Sequence, residues 1–437
     1  MQRVGKRKRE ADEGGSAREK KAGAAAVPPS STSASTSTSM TGHYAETLGE
    51  NLSPRYKVLA LLGQGTFARV LECWDRVQRV VVAVKVIRDL PKYRAASEIE
   101  IRILKQLAAA DPDDRMHVVR LRHTFEHKNH VCLVYDRLGL SLFDMLRKNR
   151  YQPFSTDQIR VYARQLITAT QFLHGPMKLV HTDLKPENIL LCDAGYEKVI
   201  DPDSGVAYRI PSTGRIQVID FGSAVPMTAA GRLGTICTRH YRAPEVMLGL
   251  KWSYPVDMWS IGCILVELYT GRSLFQTSDE AEHLAMIERV IGPIPRDMVA
   301  RASAERRAQF FVGDDDHLPP SAKRHEVEAT PAGGSLLKKP AVHGARGGSL
   351  AHCAKLSELI EHEGFRDFLA QIFVYDPAMR LTAAQAAQHP FLAPDPEAPA
   401  AEEERSAELD LTAEEDLTST SVKVVAAAAT EVIPLAS

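Results

Sequence analysis

His181-Thr182-Asp183-Leu184-Lys185-Pro186-Glu187-Asn188-Ile189-Leu190 decides the reading of this chain. It sets an Asp that can accept a proton, a Lys two residues on, and an Asn five residues after the Asp. That spacing on one loop brings together a base, a phosphate partner and a magnesium ligand, the parts that phosphoryl transfer requires. A single match of this length carries little weight. Here it stands in order between a Gly-rich loop with its lysine upstream and Asp220-Phe221-Gly222 downstream. Four ordered motifs at workable separations do not arise by chance.

Upstream, Gly63-Gln64-Gly65-Thr66-Phe67-Ala68-Arg69-Val70 falls between two expected strands. Glycines let a hairpin backbone approach phosphate oxygens closely. Ala68 occupies the place of a third glycine and keeps it small. Lys85 ends the strand segment Val82-Ala83-Val84-Lys85, where an unpaired ammonium is expensive to bury. Glu100, on the core-facing side of a helix with Leu104 and Leu107, is its expected partner. Glu98 is a rival, two residues away on another face. The pair would aim Lys85 at the α- and β-phosphates. Asp183 is the expected base, Lys185 the partner of the moving phosphoryl group, and Asn188 and Asp220 hard oxygen ligands for Mg²⁺. Downstream, Glu245 of Ala243-Pro244-Glu245 is expected to pair with Arg380 as a buried carboxylate–guanidinium fork. Asp257 is expected to accept hydrogen bonds from the catalytic-loop backbone.

The chain has 437 residues and a formal net charge of -1, so the whole molecule has no electrostatic bias toward nucleic acid or membrane. The charge is unevenly placed: residues 1–21 hold eight Lys/Arg and four acids, and residues 393–437 hold eleven acids and two basic residues. Six scattered cysteines form no C-x-x-C pair, which reads as a reduced protein without structural zinc. The N-terminus is charged and lacks a secretory pattern, and Ile261–Leu268 is too short to span a bilayer. The expectation is a soluble protein.

Residues 1–53 read as a disordered basic and Ser/Thr-rich tail, with Lys6-Arg7-Lys8-Arg9 as a nuclear-import or polyanion-binding cluster. Strands are expected at 56–62, 69–74, 80–87 and 131–135, with one principal helix at 95–107. These make a small β-rich lobe of about residues 56–138. Residues 139–392 read as mainly helical, with helices at 157–174, 257–268 and 356–373 and an irregular insertion at 302–350. The acidic stretch 393–437 reads as a disordered tail; Val422–Ala429 could form a transient helix, but plain disorder is the favoured reading. The expected fold class is α+β and bilobal.

Within about 335 residues the chain resembles eukaryotic protein kinases, and among them the LAMMER, or CLK-type, dual-specificity kinases. Glu282-His283-Leu284-Ala285-Met286-Ile287-Glu288-Arg289 is similar to the helix motif that names the family, with Ile287 in place of its second Met. Thr182, where most kinases carry Arg, matches as well, as do Thr238-Arg239-His240-Tyr241-Arg242-Ala243-Pro244-Glu245 and Trp259-Ser260-Ile261-Gly262-Cys263. The resemblance implies ATP and Mg²⁺ as cofactors, with the nucleotide pocket formed by Leu62, Gly63, Gln64, Gly65, Thr66, Phe67, Ala68, Val70, Ala83, Lys85, Glu100, Asp136 and Leu138. It implies phosphorylation of Ser/Thr on substrates and of Tyr at least on itself. It implies Arg/Ser-rich splicing factors as substrates, with Glu187 and Thr238 at the peptide site, and a location in the nucleus with the cytoplasm as a second site. No direct nucleic-acid or membrane partner is expected, and the chain is expected to act as a monomer. Cys237 stands where relatives often have Ser, so a phosphosite there would be absent. The stretch from Cys192 to Arg215 resembles the family's hairpin insertion. A catalytically dead scaffold, a DYRK or cyclin-dependent type of kinase, and a nucleic-acid module are the competing readings. The intact Lys85, Asp183, Asn188 and Asp220, then Thr182 with the 282–289 motif, then the lack of an aromatic-interleaved basic surface, disfavour them in turn.

Overall fold

Side-chain parity on one strand sets the architecture of the first lobe. In Val80–Ile87, alternate residues point to opposite faces, so Val82, Val84 and Val86 share one side while Ala83, Lys85 and Ile87 share the other. The computed structural model describes residues 42–200, 205–227, 231–311, 337 and 353–393. Strands β1 (Tyr56–Gln64), β2 (Ala68–Asp75) and β3 (Val80–Ile87) are followed by helix α1 (Pro91–Ala110) and strands β4 (Leu121–His127) and β5 (His130–Asp136). They form an antiparallel sheet in the order β1-β2-β3-β5-β4. One face packs Val58, Leu71, Cys73, Val82, Val84, Val86, Cys132 and Val134 into a small core. The other carries Lys85 toward α1.

The outer core is closed by residues that lie before β1. Tyr44 is 1% exposed and Leu52 is 2% exposed, and both belong to that core. Gly49 N–H donates to Val58 O at 3.0 Å, Val58 N–H to Glu50 O at 2.8 Å, and Leu52 N–H to Tyr56 O at 3.0 Å. The expected disordered tail to residue 53 is therefore corrected for residues 42–53. Tyr44 and Leu52 supply the apolar area that the Ser/Thr run before them lacks. The basic cluster at residues 6–9 and the segment 422–429 lie outside the described residues.

The second lobe runs through α2 (Leu142–Lys148), α3 (Thr156–His174), β6 (Leu179–Val180), β7 (Ile189–Leu191), β8 (Tyr196–Ile200), β9 (Ala207–Pro211), β10 (Ile216–Val218) and β11 (Val225–Pro226). Helices α4 (Pro244–Met247), α5 (Pro255–Thr270), α6 (Glu280–Ile291), α7 (Arg296–Arg301), α8 (Ala304–Phe310), α9 (Leu356–Leu359), α10 (Glu363–Ile372) and α11 (Ala383–Ala386) complete it. Every residue of α5 from Val256 to Leu268 is buried, as its all-round apolar sequence demands. The helix ends at Gly271, whose φ of +72° and a Tyr151 carbonyl oxygen 2.0 Å from where a Cβ would sit admit only glycine. Ser155 and Gln158 form a reciprocal capping box at the start of α3.

Two further expectations change. The helix expected over 356–373 is two helices, broken at Ile360-Glu361-His362, where His362 caps α10 by accepting from Phe365 N–H. The irregular insertion at 302–350 begins with the regular helix α8, capped by Ser303; residues 312–336 and 338–352 lie outside the described residues. No helix among the described residues is long and apolar enough to cross a membrane.

Candidate active site

The 182–190 loop hangs from the buried helix α5. Asp257, fully buried, accepts from His181 N–H at 2.8 Å and Thr182 N–H at 3.0 Å, while His174 Nε2 lies 3.0 Å away. Burial pushes the Asp257 carboxyl up, but His174, His181 and these N–H donors outweigh it and hold the group below the ordinary range. Thr182 takes a φ of +67° and donates its hydroxyl to Ser223 O at 2.8 Å. The loop is thereby tied both to α5 and to the segment after Asp220.

Asp183 is surrounded by donors. Thr238 Oγ1 donates to Oδ1 at 2.7 Å and Thr238 N–H at 3.2 Å, and Lys185 Nζ donates to Oδ2 at 2.6 Å. Lys185 also reaches Thr238 Oγ1 at 3.2 Å. Asn188 Nδ2 donates to the Asp183 carbonyl at 2.9 Å, which leaves the amide oxygen of Asn188 as its remaining ligand atom. Thr238 was expected at the peptide site; here it orients the Asp183 carboxylate.

Lys85 Nζ bridges Glu100 Oε1 at 2.7 Å and Asp220 Oδ1 at 2.9 Å. Its partner is thus Glu100 and not Glu98. Burial lowers the Lys85 pKa, but the two carboxylates raise it further, so the ammonium stays charged. For Asp220 burial again opposes ionisation, and Lys85, His181 and the Gly222 N–H prevail and hold the carboxyl below its ordinary value. Phe221 is buried at 1% exposure and packs edge-on against His181 with centroids 5.1 Å apart. A Cβ on Gly222 would lie 3.3 Å from Asp220 Oδ1 and 3.5 Å from Glu100 Oε2, so this glycine allows α1 to close on the site.

Above the cleft, Gly63, Gln64, Gly65, Thr66, Phe67 and Ala68 turn from β1 to β2, with Gly65 N–H donating to Ala68 O at 2.9 Å. Ala68 is buried, which suits its small side chain, and Phe67 packs edge-on against Tyr93 of α1 at 5.5 Å. Leu62 is exposed, and Val70 and Ala83 are half-buried. Val70 and Ala83 share the Lys85 face of the sheet, and Leu138 is 9% exposed where the chain crosses to the second lobe. The Asp136 carboxylate accepts from Arg122 Nε at 2.9 and 3.0 Å.

Two residues went unnoticed in the sequence. Tyr135 pairs with Ala83 across β3 and β5; burial, then Glu100, raises its phenol pKa, with Lys85 opposing. It therefore stands beside the Lys85 network at the back of the cleft, a position that its place at the end of β5 could have signalled. Glu267, within the apolar run of α5, is 6% exposed and accepts the Tyr241 hydroxyl at 2.6 Å. Burial pushes its carboxyl up to about 7, the Tyr241 hydrogen bond lowers it, and the charge of Glu187 raises it again. Glu187 itself is exposed. The charge of exposed Glu187 thus acts on the buried Glu267–Tyr241 pair.

Side chains around residues 236–245 tie this part of the chain to α6 and to Arg380. Arg242 donates to Ile236 O and Cys237 O and pairs with Glu280 at 3.2 Å. Glu245 and Arg380 form a buried fork at 2.7 and 2.9 Å, both side chains at most 1% exposed. Among the described residues no cluster of three or more His, Cys, Asp or Glu side chains could hold a metal alone. Asn188 and anionic Asp220 are the pair of hard oxygen donors that would hold a Mg²⁺ ion.

The family profile described as "Protein kinase domain" matches residues 56–392. The chain is 42% identical over 358 residues to the serine/threonine-protein kinase AFC2 of Arabidopsis thaliana, covering 80% of each chain. It is 41% identical to the dual specificity protein kinase lkh1 of Schizosaccharomyces pombe, over 82% of this chain and 49% of lkh1. It is 38% identical to the human dual specificity protein kinase CLK2, over 82% of this chain and 68% of CLK2. The crystal structure of the PF14_0431 kinase domain superposes with a TM-score of 0.69 at 34% identity, covering 81% of this chain and all of that one.

Proposed function

Since the chain belongs to the protein kinases, and within them to the LAMMER, or CLK-type, dual-specificity kinases, we propose that it acts on arginine-rich protein segments and does so without prior phosphorylation. It transfers the γ-phosphoryl group of ATP to Ser, Thr and Tyr hydroxyls. In the reading we favour, Asp183 orients the acceptor hydroxyl and takes its proton. Lys185 and Lys85 balance charge on the phosphates, and Glu100 keeps Lys85 in place. Asn188 and Asp220 would hold Mg²⁺, which neutralises charge on the phosphates when bound.

What supports the substrate class is the hydrogen bond of Tyr241 to buried Glu267 at 2.6 Å, a pair on which the charge of exposed Glu187 also acts. Two carboxylates in the peptide groove are costly together, and a guanidinium relieves both through charge-assisted bonds. Arg/Ser-rich splicing factors meet that chemistry, and the basic cluster at residues 6–9 fits delivery to the nucleus, where such proteins work. The test is initial-rate phosphorylation by the purified chain of an Arg/Ser-repeat peptide, its twin with Ala for each Arg, and a poly-Glu/Tyr control. A strong preference for the first is expected. Equal rates on the first two would remove arginine from recognition.

A further inference from the structure

The chain has twelve tyrosines, all among the described residues, and only Tyr151 and Tyr196 are exposed. The count matters because a kinase that uses tyrosine can reach only an accessible phenol. Tyr151 is a poor acceptor: its backbone has a φ of +62°, its N–H is spent on Leu146 O at 2.7 Å, and its carbonyl is pressed against Gly271. It cannot extend into a peptide groove without breaking that corner.

Tyr196 opens β8 in the insertion between β7 and β10. The ladder pairs Tyr196 with Pro211, Lys198 with Arg209 and Ile200 with Ala207, so these six share one face. Glu197 and Val199 lie on the other face, where Val199 is buried. The Arg209 guanidinium sits 5.2 Å from the Tyr196 ring centroid. A hydrogen bond from Arg209 and its charge, joined by Lys198 and Lys148, hold the phenol below its ordinary pKa. The exposed phenol thus stands among three cations. The nearby Asp193 carboxylate is occupied by Thr213 and by the Gly195 N–H at 2.7 Å.

We propose that Tyr196 is an autophosphorylation site whose phosphate is held by Arg209, Lys198 and Lys148. The proposal rests on the dual-specificity reading of the site. The same cations serve at both stages. Before transfer they offer positive charge to the Glu187–Glu267 groove, and afterward they meet a dianion with charge-assisted bonds. β8 can also be presented extended. The anchors to α2 fall on β9, where Asn149 donates to Arg209 O at 2.7 Å and accepts from Arg209 N–H at 2.9 Å, and Arg209 Nη1 donates to Lys148 O at 3.0 Å. A two-stranded hairpin is only marginally stable by itself, so its other strand can separate. In the transfer the bond from the γ-phosphorus to the bridging oxygen of ATP breaks and the phenol oxygen–phosphorus bond forms. ADP leaves, and the phenol proton passes to Asp183 of the catalysing molecule. The phosphate then joins the hairpin to the C-terminal end of α2.

The test uses the full chain, treated with phosphatase, then incubated with ATP and Mg²⁺ and mapped by mass spectrometry. Phosphotyrosine at position 196 is expected, and none in Asp183→Asn. Tyr196→Phe should leave the initial rate on a Ser peptide unchanged. A tyrosine phosphatase should strip the group several-fold faster from Arg209→Ala, and from Lys198→Ala as a second, surface variant. Phosphotyrosine elsewhere but not at 196 overturns the site alone. Phosphorylation of a Ser peptide with no phosphotyrosine anywhere overturns the dual-specificity reading with it. Equal stripping rates in both variants and the parent overturn the cradle.

Discussion

Replacing Glu267 by Gln separates recognition of arginine from catalysis. Glu267 is 6% exposed, so a guanidinium contact there is largely desolvated and worth about 1.5–3 kcal/mol. That range corresponds to a loss of about 10- to 150-fold in kcat/KM for an Arg peptide. Glu187 is exposed, and solvent screening limits its contact to about 0.2–1 kcal/mol, a loss of about 1.5- to 5-fold for Glu187→Ala. The two carboxylates should therefore contribute unequally, the buried one more. Glu267 also sets a pH dependence, because its carboxyl is pushed up to about 7 from 4.5. An ionised carboxylate binds the guanidinium, so kcat/KM for the Arg peptide should rise as pH increases from 6 to 8. Dividing by kcat/KM for the Ala twin removes titrations common to both peptides. Stability runs the other way: a group with a raised folded-state pKa contributes stability that is fully present below 4.5 and is lost as pH rises through about 7. Glu267→Gln should abolish that slope, worth up to about 3 kcal/mol, and be the more stable protein at pH 8. The assay is initial rates on the two peptides between pH 6 and 8.5, with thermal melts alongside. Equal losses on both peptides, or a flat ratio with pH, would refute the reasoning.

Thr182 carries no charge with which to bind a phosphorylated segment, and Arg242, Thr238 and Lys185 already hold the 236–242 stretch. Bacterially made, phosphatase-treated protein should phosphorylate peptide at once; a long lag or dependence on a second kinase would contradict this. Arg380→Ala leaves Glu245 buried without its fork and should cost about 3–5 kcal/mol, read as a lowered urea midpoint; an unchanged midpoint would show that the pair is not structural. Lys85→Met breaks the bridge between Glu100 and Asp220 and should cut kcat sharply while the melting curve remains cooperative; near-normal kcat would remove Lys85 from phosphate positioning.

The parts most legible in sequence were those where one residue type has one job. Lys85 at the end of a β-branched strand demanded a carboxylate, and the helical face of Glu100, Leu104 and Leu107 identified which one. The all-apolar run of α5 read directly as a buried helix, and the capped α3 ended where Gly175 follows His174. Strand β4 was missed because Leu121–His127 has no fully buried residue and alternates polar with apolar only weakly. The segment 42–53 reads as tail in sequence because its two core residues, Tyr44 and Leu52, stand eight positions apart with no periodicity between them. The break within 356–373 is made by the His362 cap, which competes locally with an otherwise continuous apolar pattern. Glu267 and Tyr135 gain their meaning only from neighbours far away in sequence, Glu187 and Tyr241 for the first, Lys85 and Glu100 for the second.

The central claim concerns Asp183, and one comparison tests it most directly. Wild-type protein and Asp183→Asn should bind ATP with similar affinity, because Lys85, Glu100 and Asp220 are untouched. Phosphotransfer to an Arg/Ser-repeat peptide under saturating ATP and Mg²⁺ should fall about 10²–10⁴-fold in the variant. Turnover near the wild-type level in Asp183→Asn, or no turnover in the wild type, would contradict it.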